Sequence, residues 1–263
     1  MGRLFKSYLF KLRYDLAFRI TLIIGGGIAV LLTLIYLGIG ALADETVISG
    51  ELMLTSSLSP IQNFGLAVPV NLITFTVLEF THGAIRNKVI AGHSKGRIYT
   101  SLFLNGSFFT LTLMTLYVLL CFALGSIFGG FSVTGNGAYD EHYIVRMVIS
   151  AVFIYISITS FTIFFATLFR NIGPTIPVVI VALITLGLIG TITSLIPDNE
   201  GVVWTMRFVD PLYSIGTMEY ASDKSFMRVL TTETFVSGII SNIVYTGLFF
   251  TGGLLIFRKR DVK

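Results

Sequence analysis

Six long apolar runs constrain this 263-residue chain more strongly than any single motif. They cover residues 20–42, 61–82, 101–128, 147–169, 174–196 and 236–257. A helix needs roughly 20 apolar residues to cross the hydrocarbon core of a bilayer, and each run meets that requirement. With 54% hydrophobic residues, 12% charged residues and a mean hydropathy of +0.86, the chain is too apolar to hide its side chains in a soluble core. The sequence therefore predicts an all-α membrane protein with six transmembrane helices.

The distribution of Lys and Arg predicts how these helices are oriented. If the N-terminus lies inside, 14 of the 18 basic residues fall in the terminal segments and connections on the inner side. Short cytoplasmic loops are enriched in Lys and Arg, so both termini are expected in the cytoplasm of a multi-pass cell-membrane protein. The net charge of +4 then reflects orientation among membrane lipids, and no nucleic-acid partner is predicted.

Residues 1–19 show an amphipathic pattern when they are projected as a helix. Leu4, Tyr8, Leu12 and Leu16 lie on one arc, and Arg3, Lys6, Lys11 and Arg13 lie on the other. This pattern predicts a helix in the cytoplasmic interface, with its cations toward anionic headgroups, followed by a six-span domain over 20–263. A disordered basic leader is the alternative.

Residues 80–99 combine cations with regularly spaced apolar side chains. Ile85, Val89, Ile90 and Ile98 are spaced so that a short helix would have an apolar side. An ordinary cytoplasmic loop needs only to be polar and basic, so this pattern indicates a docking site for a partner protein. The cations of the segment either contribute to docking or serve membrane orientation alone.

Three residues of the second run, 61–82, attract attention because they are unusual inside a membrane helix. Glu79 is expected to anchor the end of the run by pairing, since on a continuing helix it would face Gly83 and Arg86. Asn71 contacts either the substrate path or another helix, and the helix contact is favoured. Pro69 is expected to kink the run.

The sequence shows no recognisable pattern of catalytic residues. No Walker-type phosphate loop is present, and no set of metal ligands converges, so neither a catalytic residue nor a metal site is predicted. The single cysteine, Cys121, lies inside the third run and is expected to pack passively. If nucleotide energy drives this protein, another chain must bind the nucleotide.

The order of these features resembles the ABC-2 family of ATP-binding-cassette permease subunits. The resemblance covers most of the chain, and it is specific in the segment Glu79-x3-Gly-x-Ile-Arg-Asn-Lys and in the closing Phe257-Arg-Lys-Arg-Asp-Val-Lys. It implies that residues 80–99 form the coupling segment, which seats in a groove of a separate ATPase subunit. The implied coupling residues are Gly83, Ile85, Arg86, Asn87, Lys88, Val89, Ile90, Gly92, Lys95 and Arg97.

The same resemblance implies the rest of the assembly. Residues 1–19 correspond to an elbow helix, and the apolar outer segment 197–235 resembles a pair of short re-entrant helices. Interfacial anchoring by Trp204 and Tyr213 is an equally open explanation for the outer segment. Two ATPase subunits, which bind ATP and Mg²⁺, and a second permease half, identical or homologous, would complete the complex. No cofactor is expected on this chain.

These features favour a non-enzymatic export subunit over two other classes. The expected substrate is amphipathic: an antimicrobial or other peptide, a lipid-like molecule or a drug, moved out of a bacterial cell. An ion-coupled secondary transporter is the alternative, although such proteins usually carry carboxylates or broken helices near the middle of the membrane. An intramembrane hydrolase would need the ligand set that is missing.

Overall fold

The computed structural model describes residues 16–43, 49–58, 67–131, 143–194 and 232–260. Within these ranges the regular secondary structure is helical, without strands. The helices are α1 Leu16–Ala43, α2 Gly50–Leu58, α3 Ala67–Thr81, α4 Ala84–Ile90, α5 Lys95–Gly129, α6 Tyr143–Phe169, α7 Ile172–Ser194 and α8 Thr232–Lys259. The predicted all-α class is therefore confirmed for the described part of the chain.

Four of these helices, α1, α5, α6 and α8, are long and apolar enough to cross a bilayer. Helices α3 and α4 qualify as a fifth span only when they are taken together, across a bend of 54°. Helix α7 has 23 residues, and its side chains are described mainly over the apolar stretch Ile172–Leu186. The structure is thus compatible with a multi-pass membrane protein, while the count of six spans stays a prediction.

The described bend at the end of the second predicted run lies at a glycine. Pro69 is the third described residue of α3. The chain changes direction between Thr81 and Ala84 instead, around Gly83. The residues that precede α3, where Pro69 would bend a helix, lie outside the described part of the chain, so the kink at Pro69 stays a prediction.

The short helix α2 falls in a connection between two predicted spans and was not predicted. The Gly50 N–H donates to the Gly130 carbonyl oxygen at 2.8 Å, and the Glu51 N–H donates to that of Phe131 at 3.0 Å. Met53 is buried beside Gly125 of α5, where an added Cβ would lie 2.8 Å from the Met53 side chain. These contacts attach α2 to the end of α5 that lies farthest from α4.

Helix α6 lies at the centre of the described bundle and contacts α3, α5, α7 and α8. The Ser160 hydroxyl donates to the Thr246 carbonyl oxygen of α8 at 3.0 Å. The Thr159 hydroxyl lies 3.0 Å from the Thr110 hydroxyl of α5. Hydrogen bonds of this kind join helices where a hydrophobic driving force between them is weak.

Two predicted features lie outside the described residues. The predicted interfacial helix 1–19 is described only from residue 16, where α1 begins. The predicted outer re-entrant segment 197–235 is described only from residue 232, where α8 begins.

Candidate coupling site

The α4 corner, defined here as residues 79–99, begins with a glycine turn. Helix α3 ends at Thr81, and Gly83 has a φ of +66°. The Gly83 N–H donates to the Phe80 carbonyl oxygen at 3.2 Å. This left-handed conformation favours glycine because a Cβ would be strained there. The turn stops α3 and directs α4 away at 54°.

A second glycine turn ends α4. Gly92 has a φ of +85°, and its N–H donates to the Val89 carbonyl oxygen at 3.0 Å. The His93 N–H donates to the Lys88 carbonyl oxygen at 3.1 Å. This pair of bonds is a Schellman motif, which satisfies the last carbonyls of a helix. Ser94 is extended and α5 begins at Lys95, so the two glycine turns define the shape of the corner.

An ion pair between a buried carboxylate and a partly buried lysine closes the corner from inside. Glu79 is 3% exposed, and its Oε2 lies 2.5 Å from Nζ of Lys88 in α4. The predicted neighbour on a continuing helix was Arg86, which is exposed instead. The left-handed turn at Gly83 breaks that helix and brings Lys88 to the carboxylate. A buried carboxylate is costly unless it is paired, so this contact stabilises the corner.

Helix α4 has one face toward the protein and one face toward the surroundings. Ile85 is 1% exposed, Ile98 of α5 is equally buried, and Val89 packs partly buried against the same core. Most of the predicted apolar docking side is therefore covered by the chain itself. The outward residues, called here the exposed face of α4, are Arg86, Asn87 and Ile90. The Ile90 side chain is 74% exposed.

The start of α5 contacts the end of α8. Nζ of Lys95 lies 3.2 Å from the carbonyl oxygen of Arg258 and 3.0 Å from that of Arg260. Among the four predicted coupling cations, Lys88 and Lys95 are thus engaged within the chain, whereas Arg86 and Arg97 are exposed.

Aromatic side chains fill the space under the corner. Phe257 of α8 is fully buried, and its ring centroid lies 6.0 Å from that of Phe80 and 5.8 Å from that of Tyr99. A Cβ added at Gly253 would collide with the Tyr99 hydroxyl, so glycine allows α8 to approach α5 closely there. Sequence reasoning missed this α8 cluster, although Gly253 and Phe257 lie four residues apart on one helix face.

The turn between α6 and α7 joins the same end of the bundle. Nη1 of Arg260 donates to the Leu168 carbonyl oxygen at 2.6 Å. The Arg170 guanidinium carbon lies 5.3 Å from the Phe80 ring centroid, within range of a cation–π contact. Burial, and secondarily the charge of Arg260, lower the pKa of Arg170 from its usual value.

The remaining predicted polar residue of the second run is Asn71. Nδ2 of Asn71 donates to the Ala67 carbonyl oxygen at 2.8 Å, within its own helix. Contact of Asn71 with another helix or with substrate stays a prediction. Among the described residues, no group of three His, Cys, Asp or Glu side chains is placed to hold a metal ion. Cys121 is buried in α5.

Comparison with known proteins identifies no relative of this chain. No protein-family model, no curated protein and no solved structure matches the chain. Functional assignment therefore depends on the residues and contacts of the chain itself, above all on those of the α4 corner.

Proposed function

We propose that this chain is the permease subunit of an ATP-binding-cassette exporter of the ABC-2 type, and that the exposed face of α4 docks onto the ATPase subunit. The observation that carries the proposal is the 74% exposed Ile90 beside Arg86 and Asn87, on a short helix between two apolar helices. A short helix with an apolar anchor beside a cation suits a groove with an apolar floor and an acidic rim.

The internal contacts of the corner support this role. The Glu79–Lys88 pair, the buried Ile85 and the two glycine turns give α4 a defined position relative to α3 and α5. A segment that transmits displacement must be stiff, because a flexible one would absorb the motion of its partner. In the proposed mechanism, closure of the ATPase subunits displaces α4, and α3 and α5 carry that displacement into the membrane domain.

The proposal includes the predicted membrane arrangement. The proposed arrangement has six spans and cytoplasmic termini. It also has an elbow helix in residues 1–19 and re-entrant helices in residues 197–235. The Lys and Arg distribution supports this orientation, and the α4 corner lies on the side that the distribution assigns to the cytoplasm of a bacterial cell.

The partners and the substrate follow from the same proposal. Two ATPase subunits bind ATP and Mg²⁺, and an identical or homologous permease chain supplies the second half of the path. The transported molecule is an amphipathic peptide, a lipid-like molecule or a drug. The 23 Phe and 11 Tyr residues of the chain would suit the lining of such a path.

Co-purification with an ATPase tests the proposal. The chain is co-expressed with candidate Walker-motif ATPases, beginning with any that a neighbouring reading frame encodes, and binding is compared between wild type and the double variant Arg86→Glu with Ile90→Asp. We expect binding to weaken at least about tenfold, because a charge contact and an apolar anchor are lost together.

Lys259→Glu is the matched control, since it reverses an exposed cation at the end of α8, outside the exposed face of α4. Equal binding by the double variant and the control would contradict docking at α4. Transport driven by an ion gradient in the chain alone would replace the exporter proposal by a secondary transporter.

A further inference from the structure

The end of α8 presents a negative helix terminus to the α4 corner. The last carbonyls of a helix carry partial negative charge, which favours a nearby cation. Lys95, at the start of α5, places its ammonium on two of these carbonyls, those of Arg258 and Arg260. The last turn of α8 is itself basic, with Arg258 and Lys259. The Lys95 ammonium therefore lies near other positive charges, and its two hydrogen bonds to backbone oxygens offset that repulsion.

Close backbone approach reinforces this contact. An added Cβ at Gly96 of α5 would lie 3.0 Å from Nη2 of Arg258, and one at Gly253 of α8 would strike the Tyr99 hydroxyl. Each helix thus lacks a side chain where the other presents a large one. Phe257 then packs between the rings of Phe80 and Tyr99, which ties the end of α3 into the same contact.

An adjoining part of the same side of α8 contacts the central helix. Besides the hydrogen bond to the Thr246 carbonyl, the Phe249 ring meets that of Phe161 at 5.0 Å, edge to face. The side chain of Phe164 lies 3.3 Å from where a Cβ of Gly252 would be. A continuous set of contacts therefore leads from the α3 and α5 ends of the α4 corner through α8 to α6.

We infer that the end of α8 clamps the α4 corner, and that Lys95 is the positioning residue of this clamp. Displacement of α4 then moves the adjoining ends of α3 and α5, and α8, which contacts both ends, carries part of that displacement to the centre of the bundle. The transmission part of this inference rests on the proposed function, whereas the clamp itself concerns the isolated chain.

The clamp is tested without any ATPase by a distance measurement between spin labels. Asn87→Cys and Lys259→Cys carry the labels in a Cys121→Ala background in nanodiscs, because both sites are exposed. Lys95→Met removes the ammonium and keeps the aliphatic stem. We expect the distance distribution to become about twice as wide, because the last turn of α8 loses its cation and frays.

Lys95→Arg should keep the narrow distribution, since its guanidinium also donates to carbonyl oxygens. Arg97→Met is the matched control, because it removes an exposed cation two residues away on α5. A distribution for Lys95→Met that matches the control would overturn the clamp.

The transmission part is tested in the complex with the ATPase, without labels. We expect Lys95→Met to bind the ATPase within about twofold of wild type, because the exposed face of α4 is unchanged, and to lose most of the permease-dependent ATP hydrolysis. Unchanged hydrolysis in Lys95→Met would overturn transmission through α8. If the wild-type chain binds no ATPase, the proposed function fails, and the distance measurement still decides on the clamp.

Discussion

At the scale of single residues, the backbone conformation of Gly83 determines which cation pairs with Glu79. Glu79 was expected to be paired, and it is, but the predicted neighbour Arg86 was wrong. That expectation assumed a continuing helix, whereas Gly83 adopts a φ of +66° and ends the helix. The ammonium of Lys88 consequently reaches the carboxylate, and Arg86 is left exposed.

Substitution of Lys88 tests how much the Glu79–Lys88 ion pair contributes to the free energy of unfolding. We expect Lys88→Met to lower the free energy of unfolding by about 3 kcal/mol, because the substitution leaves Glu79 buried and charged. Denaturant unfolding in detergent micelles measures the change. Adding Glu79→Gln to Lys88→Met should recover part of the loss, since the remaining amide is neutral.

Lys259→Met serves as the control for removal of a lysine charge, because Lys259 is exposed. A loss below about 1 kcal/mol for Lys88→Met would place the pair among ordinary surface salt bridges and contradict its structural role.

At the scale of elements, hydrophobic periodicity predicted the long helices and the short α4, and it missed the short α2. Helix α2 has only nine residues, Gly50–Leu58, and lacks a long apolar pattern. Its stability comes from the carbonyls of Gly130 and Phe131 and from the space beside Gly125, which lie more than 70 residues away along the chain. No local signal encodes such contacts.

An engineered disulfide tests the docking of α2 on α5. A Cβ built at Gly50 lies 3.3 Å from the Cβ of Ser126, close to the separation of about 3.5–4.5 Å found in disulfides. We expect Gly50→Cys with Ser126→Cys, in a Cys121→Ala background, to cross-link on mild oxidation. Mass spectrometry after alkylation of free thiols reports the fraction that has formed.

The control pair is Gly38→Cys with Ser126→Cys, because no atom lies within 4 Å of a Cβ at Gly38. This pair should stay reduced under the same conditions. If the Gly50 pair is alkylated to the same extent as the control, α2 does not dock on α5.

At the scale of the whole molecule, α5 connects the two distinctive ends of the bundle. Its 35 residues extend over about 52 Å at 1.5 Å per residue, which exceeds the hydrocarbon core of about 30 Å. One end of α5 belongs to the α4 corner, and the other end holds α2. A membrane-crossing α5 therefore places these two features on opposite sides of the bilayer.

Cysteine labelling from each side of the membrane tests this arrangement. In a Cys121→Ala background, Arg97→Cys should react with an impermeant maleimide only in inside-out vesicles, and Phe131→Cys only in right-side-out vesicles. Both side chains are exposed, so accessibility depends on the membrane alone. Labelling of both sites from the same side would contradict a membrane-crossing α5 and the predicted orientation.

The sequence by itself determined the helical class and the position of the α4 corner. Long apolar runs leave the backbone few alternatives to helices, because in lipid each N–H and C=O must be satisfied within its own segment. The glycines, cations and spaced isoleucines of residues 80–99 marked the corner without any structure.

Only the tertiary structure decided which residues of that corner are available. Ile85 and Ile90 belong to the same predicted apolar side, yet one is buried and the other exposed. Lys95 contacts Arg258, 163 residues further along the chain. Periodicity defines the faces of a helix, but it does not say which neighbour covers each face. Long-range packing makes that choice, and it leaves Arg86, Asn87 and Ile90 outside.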